Sequence, residues 1–186
     1  MNDNNEYQLL LNTVKQTYAS VVWTHKIQEK QADIIATRYK VFETIAIIAE
    51  ALTTAGIMAT IFEDALWVKV CSAVLSFVSL AISAYFKSFD LQTIAKSHKE
   101  AANGFLLVRD DLLVIISDIF RKKDLSAIDE NYAKVRKTLN KLYTTAPQTT
   151  NKAVEIATKA LGADKEYTFS AKEINRFLPD ALRGDL

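Results

Sequence analysis

Two carboxylates stand where ionised groups are costly. From Val41 to Phe62 the chain reads VFETIAIIAEALTTAGIMATIF, and Glu43 and Glu50 interrupt an otherwise apolar run. On a helical wheel Glu43, Glu50, Thr54 and Ile61 fall within about 20° of one line, with Thr53 and Thr60 to one side. Glu50 is nine residues into the run, roughly 13 Å along a helix axis. A carboxylate at that depth in hydrocarbon costs several kcal/mol and must face protein or water. Glu43, near the edge, can reach the headgroups. The next apolar run, LWVKVCSAVLSFVSLAISAYF, places Lys69, Ser72, Ser76, Ser79 and Ser83 on an arc of about 80°. Small residues spaced in this way let helices approach closely and hydrogen-bond across the contact. Two chemistries fit these residues. In one, the serines form a packing seam and Glu50 bonds to Ser or Thr of the neighbouring helix. In the other, Glu50 and Thr54 line a polar, ion-permeable path, which requires a homo-oligomer because two helices cannot enclose water. Lys69 lies near the far boundary and suits snorkelling, and Cys71 suits a small apolar filler.

The other residues able to do chemistry are sparse. There are two histidines, His25 and His98, far apart in sequence. Neither belongs to an H-E-x-x-H motif, and no phosphate-binding glycine loop or nucleophile elbow occurs. No catalytic residue, metal site or cofactor is therefore expected, and the near-neutral net charge of +1 gives no field that favours direct nucleic-acid binding. A single cysteine excludes a disulfide framework.

The elements that must position these groups are helices. Four Gly and two Pro in 186 residues leave long stretches without a turn signal. From Asn5 to Lys40 an apolar seam runs Tyr7, Leu11, Val14, Tyr18, Val21, His25, Gln28, Ala32, Ile35, Tyr39, in steps of four and three. It predicts an amphipathic helix feeding into the first apolar run. After Phe86 a second seam steps Leu91, Ile94, His98, Ala101, Phe105, Val108, Leu112, Ile115, Ile119. Arg109, Asp110 and Asp111 exclude this segment as a third span. Further helices are expected over about 126–144, over 148–161 with Pro147 at its start and Gly162 at its stop, and from the Ser170–Glu173 capping box to Phe177.

The two apolar runs each match the ~20 residues needed to cross a bilayer. With only Glu63-Asp64-Ala65 between them they form a hairpin. Lys26, Lys30, Arg38 and Lys40 precede it and Lys87, Lys96 and Lys99 follow it, so the positive-inside rule places both termini in the cytoplasm. The start of the chain has no basic, apolar signal-peptide pattern. The expected fold is all-α: residues 1–40 an N-terminal cytoplasmic helix, 41–86 a two-helix transmembrane hairpin, and 87–186 a C-terminal helical region packed as a coiled-coil-like bundle. His25 and His98 then share the cytoplasmic packing seam, either as two unrelated hydrogen-bonded core histidines or as polar residues that fix register.

A basic amphipathic helix enters the first span through ATRYKVFETIAIIAEALTTAGI, and a long helix opens at YFKSFDLQTIAKSHKEAANGF. Around a minimal acidic loop and a small-residue second span, this arrangement resembles the SLATT family of bacterial two-transmembrane effectors, over about residues 15–145. The tail YTFSAKEINRFLPDALRG is similar to the ending of a subgroup found beside reverse transcriptases. The resemblance implies an anti-phage effector of the bacterial inner membrane that breaches the bilayer when triggered. The trigger would be a nucleotide signal or a separate partner, such as a nucleotidyltransferase or reverse transcriptase. A membrane anchor that recruits a cytosolic defence enzyme, and a constitutive small channel, are the competing readings.

Overall fold

A computed structural model describes residues 3–62 and 65–162. Among the described residues all regular structure is helical. In order, the helices are α1 (Asp3–Phe62), α2 (Leu66–Ser88), α3 (Leu91–Phe120), α4 (Leu125–Thr145) and α5 (Asn151–Gly162). The seam through Tyr39 and the first apolar run belong to one helix. Its 60 residues span about 90 Å at ~1.5 Å per residue. It contains no proline and a single glycine, Gly56, so nothing in its sequence terminates it earlier.

The chain returns antiparallel to α1 in two pieces. Phe89 is extended (φ −127°, ψ 97°), and the Asp90 carboxylate accepts a hydrogen bond from the Thr93 amide at 3.0 Å, capping α3. Asp124 caps α4 in the same way, accepting from the Ala127 amide at 2.9 Å. Between these two helices, Lys122 adopts a left-handed conformation, φ 51°. The antiparallel register is read from contacts along the whole length. The Tyr7 hydroxyl donates to the Lys123 carbonyl, His25 meets Ala102, and Gln28 meets His98. Further along, Tyr39 stacks near Phe86 and Gly56 touches Ser72.

Both seams read from the sequence are the core. Leu11, Val14 and Val21 of α1 interlock with Phe105, Val108, Leu112, Ile115 and Ile119 of α3, closed on one flank by Ile128, Tyr132 and Leu139 of α4. At Gly104 α3 approaches α4 closely, since an added Cβ would stand 2.6 Å from Leu142 Cδ2. The α3 seam fades at its start, since Ile94 is exposed. A smaller cluster joins Ile27 of α1 to Ala153 and Ala157 of α5, with Ile34 and Val154 around it.

One helix start differs from expectation. The segment Pro147–Thr150 is a linker, and α5 begins at Asn151. Side chains of α1 hold this linker open: the Gln28 amide donates to the Pro147 carbonyl at 2.9 Å, and Gln31 Oε1 accepts from both the amide and the hydroxyl of Thr150. The acidic loop at Glu63-Asp64 and the capping box at Ser170 lie outside the described residues.

Phe105 is fully buried and Leu107, two residues on, is 68% exposed. Phe105→Ala should lower unfolding free energy by about 3–5 kcal/mol, whereas Leu107→Ala should stay within about 0.5 kcal/mol. Denaturant titration of the full chain in detergent, followed by circular dichroism, checks both.

Candidate functional site: a two-sided hairpin above a buried polar layer

The hairpin arms meet through small residues. On α1, Ala46 and Ala49 are buried and Thr53 and Gly56 half-buried; on α2, Val68 and Ser72 are buried and Leu75 and Ser79 half-buried. A Cβ on Gly56 would fall on the Ser72 hydroxyl and 3.3 Å from Ser72 Cβ, so a larger residue there requires that hydroxyl to turn away and the arms to give by a few tenths of an ångström. The hydroxyls of Thr53 and Ser79 are buried without a hydrogen-bond partner among the described residues. Outside this contact, the apolar stretches are bare: 11% of the most apolar window on one arm and 6% on the other is buried. A soluble bundle would bury its apolar face, so these arms are built for lipid.

Turning each helix from its contact face by ~100° per residue sorts the remaining side chains. Glu43, Glu50 and Thr54 of α1 come to the same side of the hairpin as Lys69, Ser76 and Ser83 of α2, with the exposed Ile57 and Leu80 among them. The opposite side carries Ile45, Ile48, Leu52, Trp67, Val74 and Val78, all exposed. The serine stripe is therefore divided. Ser72 and Ser79 face α1, while Ser76 and Ser83 are exposed beside the acidic residues. Glu50 is exposed too, and its carboxylate makes no hydrogen bond to α2 among the described residues. Thr54 donates its hydroxyl to the Glu50 carbonyl at 2.9 Å, a bond within the helix. Glu43 is half-buried and accepts from the Tyr39 hydroxyl at 2.9 Å. Within one chain the arms thus pair without using Glu50.

Aromatic rings mark both ends of the apolar zone. Tyr39 and Phe86 lie 5.2 Å apart, Phe42 and Tyr85 5.5 Å, and Tyr85 and Phe89 5.0 Å, centroid to centroid. Trp67 is exposed at the other end. From Trp67 to Tyr85 is about 27 Å along α2, close to the ~30 Å hydrocarbon thickness, and Tyr and Trp favour the two membrane interfaces.

About 12–21 Å along α1 from Tyr39, the bundle core turns polar. His25, Lys26, Gln28, Gln31 and His98 are all buried. His25 Nδ1 lies 2.8 Å from the Ala102 carbonyl and His98 Nδ1 2.6 Å from Gln28 Oε1. Both acceptors are oxygens without a proton, so both histidines carry hydrogen on Nδ1. Gln28 is thus the middle of a chain running from His98 on α3, through α1, to Pro147 in the linker. The Lys26 ammonium sits 2.7 Å from Glu29, which Lys99 approaches at 3.7 Å. Burial alone would raise Glu29, but the Lys26 bond and charge hold its carboxyl below the usual range. The structure brings His25 and His98 together on one interface, one turn apart. Sequence reasoning places Gln28 on the seam and reads Lys26 only as a flanking charge; Gln31 and the burial of Lys26 lie off the heptad seam and escape it. No group of His, Cys, Asp or Glu suited to a metal converges among the described residues.

Burial pushes both histidines below the usual imidazole value of 6.5. The unfolded chain then binds more protons than the fold in mild acid, so stability is complete above about pH 7 and falls as pH drops through 6.5. The loss approaches ~1.4 kcal/mol per pH unit for each histidine until its folded-state value is reached. Thermal melts in detergent between pH 7.5 and pH 5 should show this slope, and it should be shallower in His98→Gln. A flat profile in the parent chain would mean that water reaches both rings.

Neither the curated proteins nor the solved structures contain a match to this chain. A family model does match, over residues 10–173, which takes in the hairpin, the polar layer and α3 to α5. The two lipid-suited arms are what that description requires, and the chain belongs to SMODS and SLOG-associating 2TM effector domain family 4.

Proposed function

We propose that several copies of this two-transmembrane effector assemble with their Glu50 sides together, enclosing a polar path that breaches the membrane. The observation that carries this reading is the exposed Glu50 carboxylate. It stands near the middle of the apolar zone, at about the height of Ser76 on the other arm. Lipid cannot cover it without a cost of several kcal/mol. The apolar side, bearing Ile48, Leu52 and Val74, is suited to lipid. A ring with apolar sides outward and Glu50, Thr54, Ser76 and Ser83 inward satisfies both demands.

The setting is bacterial defence, and the site of action is the inner membrane with both chain ends in the cytoplasm. The trigger is a nucleotide signal or a separate signal-producing protein, and infection switches the assembly from closed to conducting. The polar layer suits the receiving end. It ties α1, α3 and the α4–α5 linker together, and α1 continues from it into the membrane without a break. The return arm has a joint at Phe89–Asp90, where α2 can turn against α3.

Cells whose growth the protein arrests should lose membrane potential. In planar bilayers, Glu50→Ala should change the cation-to-anion permeability ratio severalfold while cross-linking still reports the parent oligomer. Arrested cells with an unchanged potential would overturn the pore. Loss of the oligomer in Glu50→Ala would assign Glu50 to packing between copies, and full tolerance of Glu50→Leu would favour a membrane anchor that recruits a cytosolic enzyme.

A further inference from the structure

Beside the membrane boundary, α5 lies against α1 and the two helices frame a groove of about 410 Å³. Lys30, Arg38 and Lys152 line it against a single carboxylate, Asp33; Thr37 adds a hydroxyl, and Ile34 and Ile156 supply apolar wall. Arg38 and Lys152 are exposed, and neither makes an ion pair among the described residues. Arg38 and Lys152 therefore bring two positive charges to the groove, one from each helix.

Its height sets what can reach it. Arg38 is three residues before Val41, where the apolar run starts, and Lys30 is eleven before it. Those separations are about 4.5 and 16 Å along the helix axis. The headgroup layer occupies roughly 5–7 Å on each side of the hydrocarbon, so Arg38 lies within it and the groove opens from it toward the bundle. The aromatic pairs Tyr39–Phe86 and Phe42–Tyr85 fix that level independently of hydropathy.

We propose that this groove holds the phosphate headgroup of an anionic phospholipid. Arg38 and Lys152 meet the phosphate, Thr37 donates its hydroxyl to a headgroup oxygen, and Ile34 and Ile156 form the apolar wall behind these groups. A zwitterionic headgroup brings its own cation and gains little from these two charges. Because Lys152 is on α5 and Arg38 on α1, the lipid fastens α5 to the membrane-facing end of α1. The proposal needs the membrane boundary but not a pore, so it stands or falls apart from the conducting assembly.

The test follows the thermal midpoint of the full chain in detergent micelles titrated with dioleoylphosphatidylglycerol, with dioleoylphosphatidylcholine as the zwitterionic probe. The parent chain should be stabilised by the first lipid and not by the second. In Arg38→Gln/Lys152→Gln the apparent affinity should fall about fivefold per charge removed, with the midpoint in phosphatidylcholine unchanged. Lys137→Gln/Lys141→Gln, which removes two exposed charges from α4, should keep the parent response. Equal stabilisation by both lipids would overturn the proposal, as would an equal loss in the α4 variant, which would mean diffuse attraction. Stabilisation of the lipid-free chain by inorganic phosphate to the same extent would assign the groove to a soluble phosphate instead of a lipid.

Discussion

The structure hangs on one heptad seam that runs almost the full length of α1. Leu11, Tyr18, His25, Ala32, Tyr39, Ala46 and Thr53 recur every seven residues, as do Val14, Val21, Gln28, Ile35, Phe42, Ala49 and Gly56. Every one of these side chains is buried or half-buried. A strict seven-residue period winds two helices about each other with a left-handed twist, so one unbroken coil contains both the water-soluble bundle and the membrane arms. On the return arm the period is reset. Val68, Leu75 and Ile82 follow one phase, whereas His98, Phe105, Leu112 and Ile119 follow another. The extended residue Phe89 and the cap at Asp90 absorb the difference. Helix α1 is thus the rod, and the other helices are laid along it.

Where the solvent changes, the seam changes character without changing register. In the bundle it is made of Leu, Val, Phe and Ile, whose burial from water drives association. Between the arms it is Ala, Ala, Thr and Gly against Val, Ser, Leu and Ser. Hydrocarbon already solvates large side chains, so only close approach and hydroxyl groups favour contact there. Between the two regimes lie His25, Gln28, Gln31 and His98, which spend hydrogen bonds on fixing alignment instead of adding apolar area. A glutamine that bonds a histidine on one side and a linker carbonyl on the other tolerates no slip of register.

This division explains what could be read from the sequence. The two bundle seams were legible because polar residues outline them, and so was the hairpin, whose arms are uniformly apolar. The contact between the arms was hidden for the same reason. With no polar contrast, Ala46, Ala49 and Gly56 are marked only by their small size, and the eye goes to Glu50 instead. The serine arc of about 80° was real, but it straddles the edge of the contact, so half of it faces α1 and half does not. Burial of Ile27 and Gln31 follows from the docking of α5 and its linker, a long-range event that no local spacing announces. The cap D-x-x-T at Asp90–Thr93 was a local signal of the joint after α2, masked by the helical texture on either side of it.

An energetic asymmetry follows from the two-regime coil. The bundle is held by a fully buried core with Phe105, Val14 and Val21 at its centre. The arms are held by contacts between small residues and leave two hydroxyls, Thr53 and Ser79, without partners among the described residues. Unpaired buried hydroxyls cost about 1–3 kcal/mol each, so the intramolecular pairing of the arms is the weaker half of the molecule. In the proposed assembly, pairing between copies would give the Glu50 side the cover it lacks in a single hairpin. The bundle meanwhile keeps α1 and α3 in register. A strong coil outside the membrane and a weak one inside it are therefore compatible with exchange of partners among the arms without unfolding of the bundle, as the proposed assembly requires.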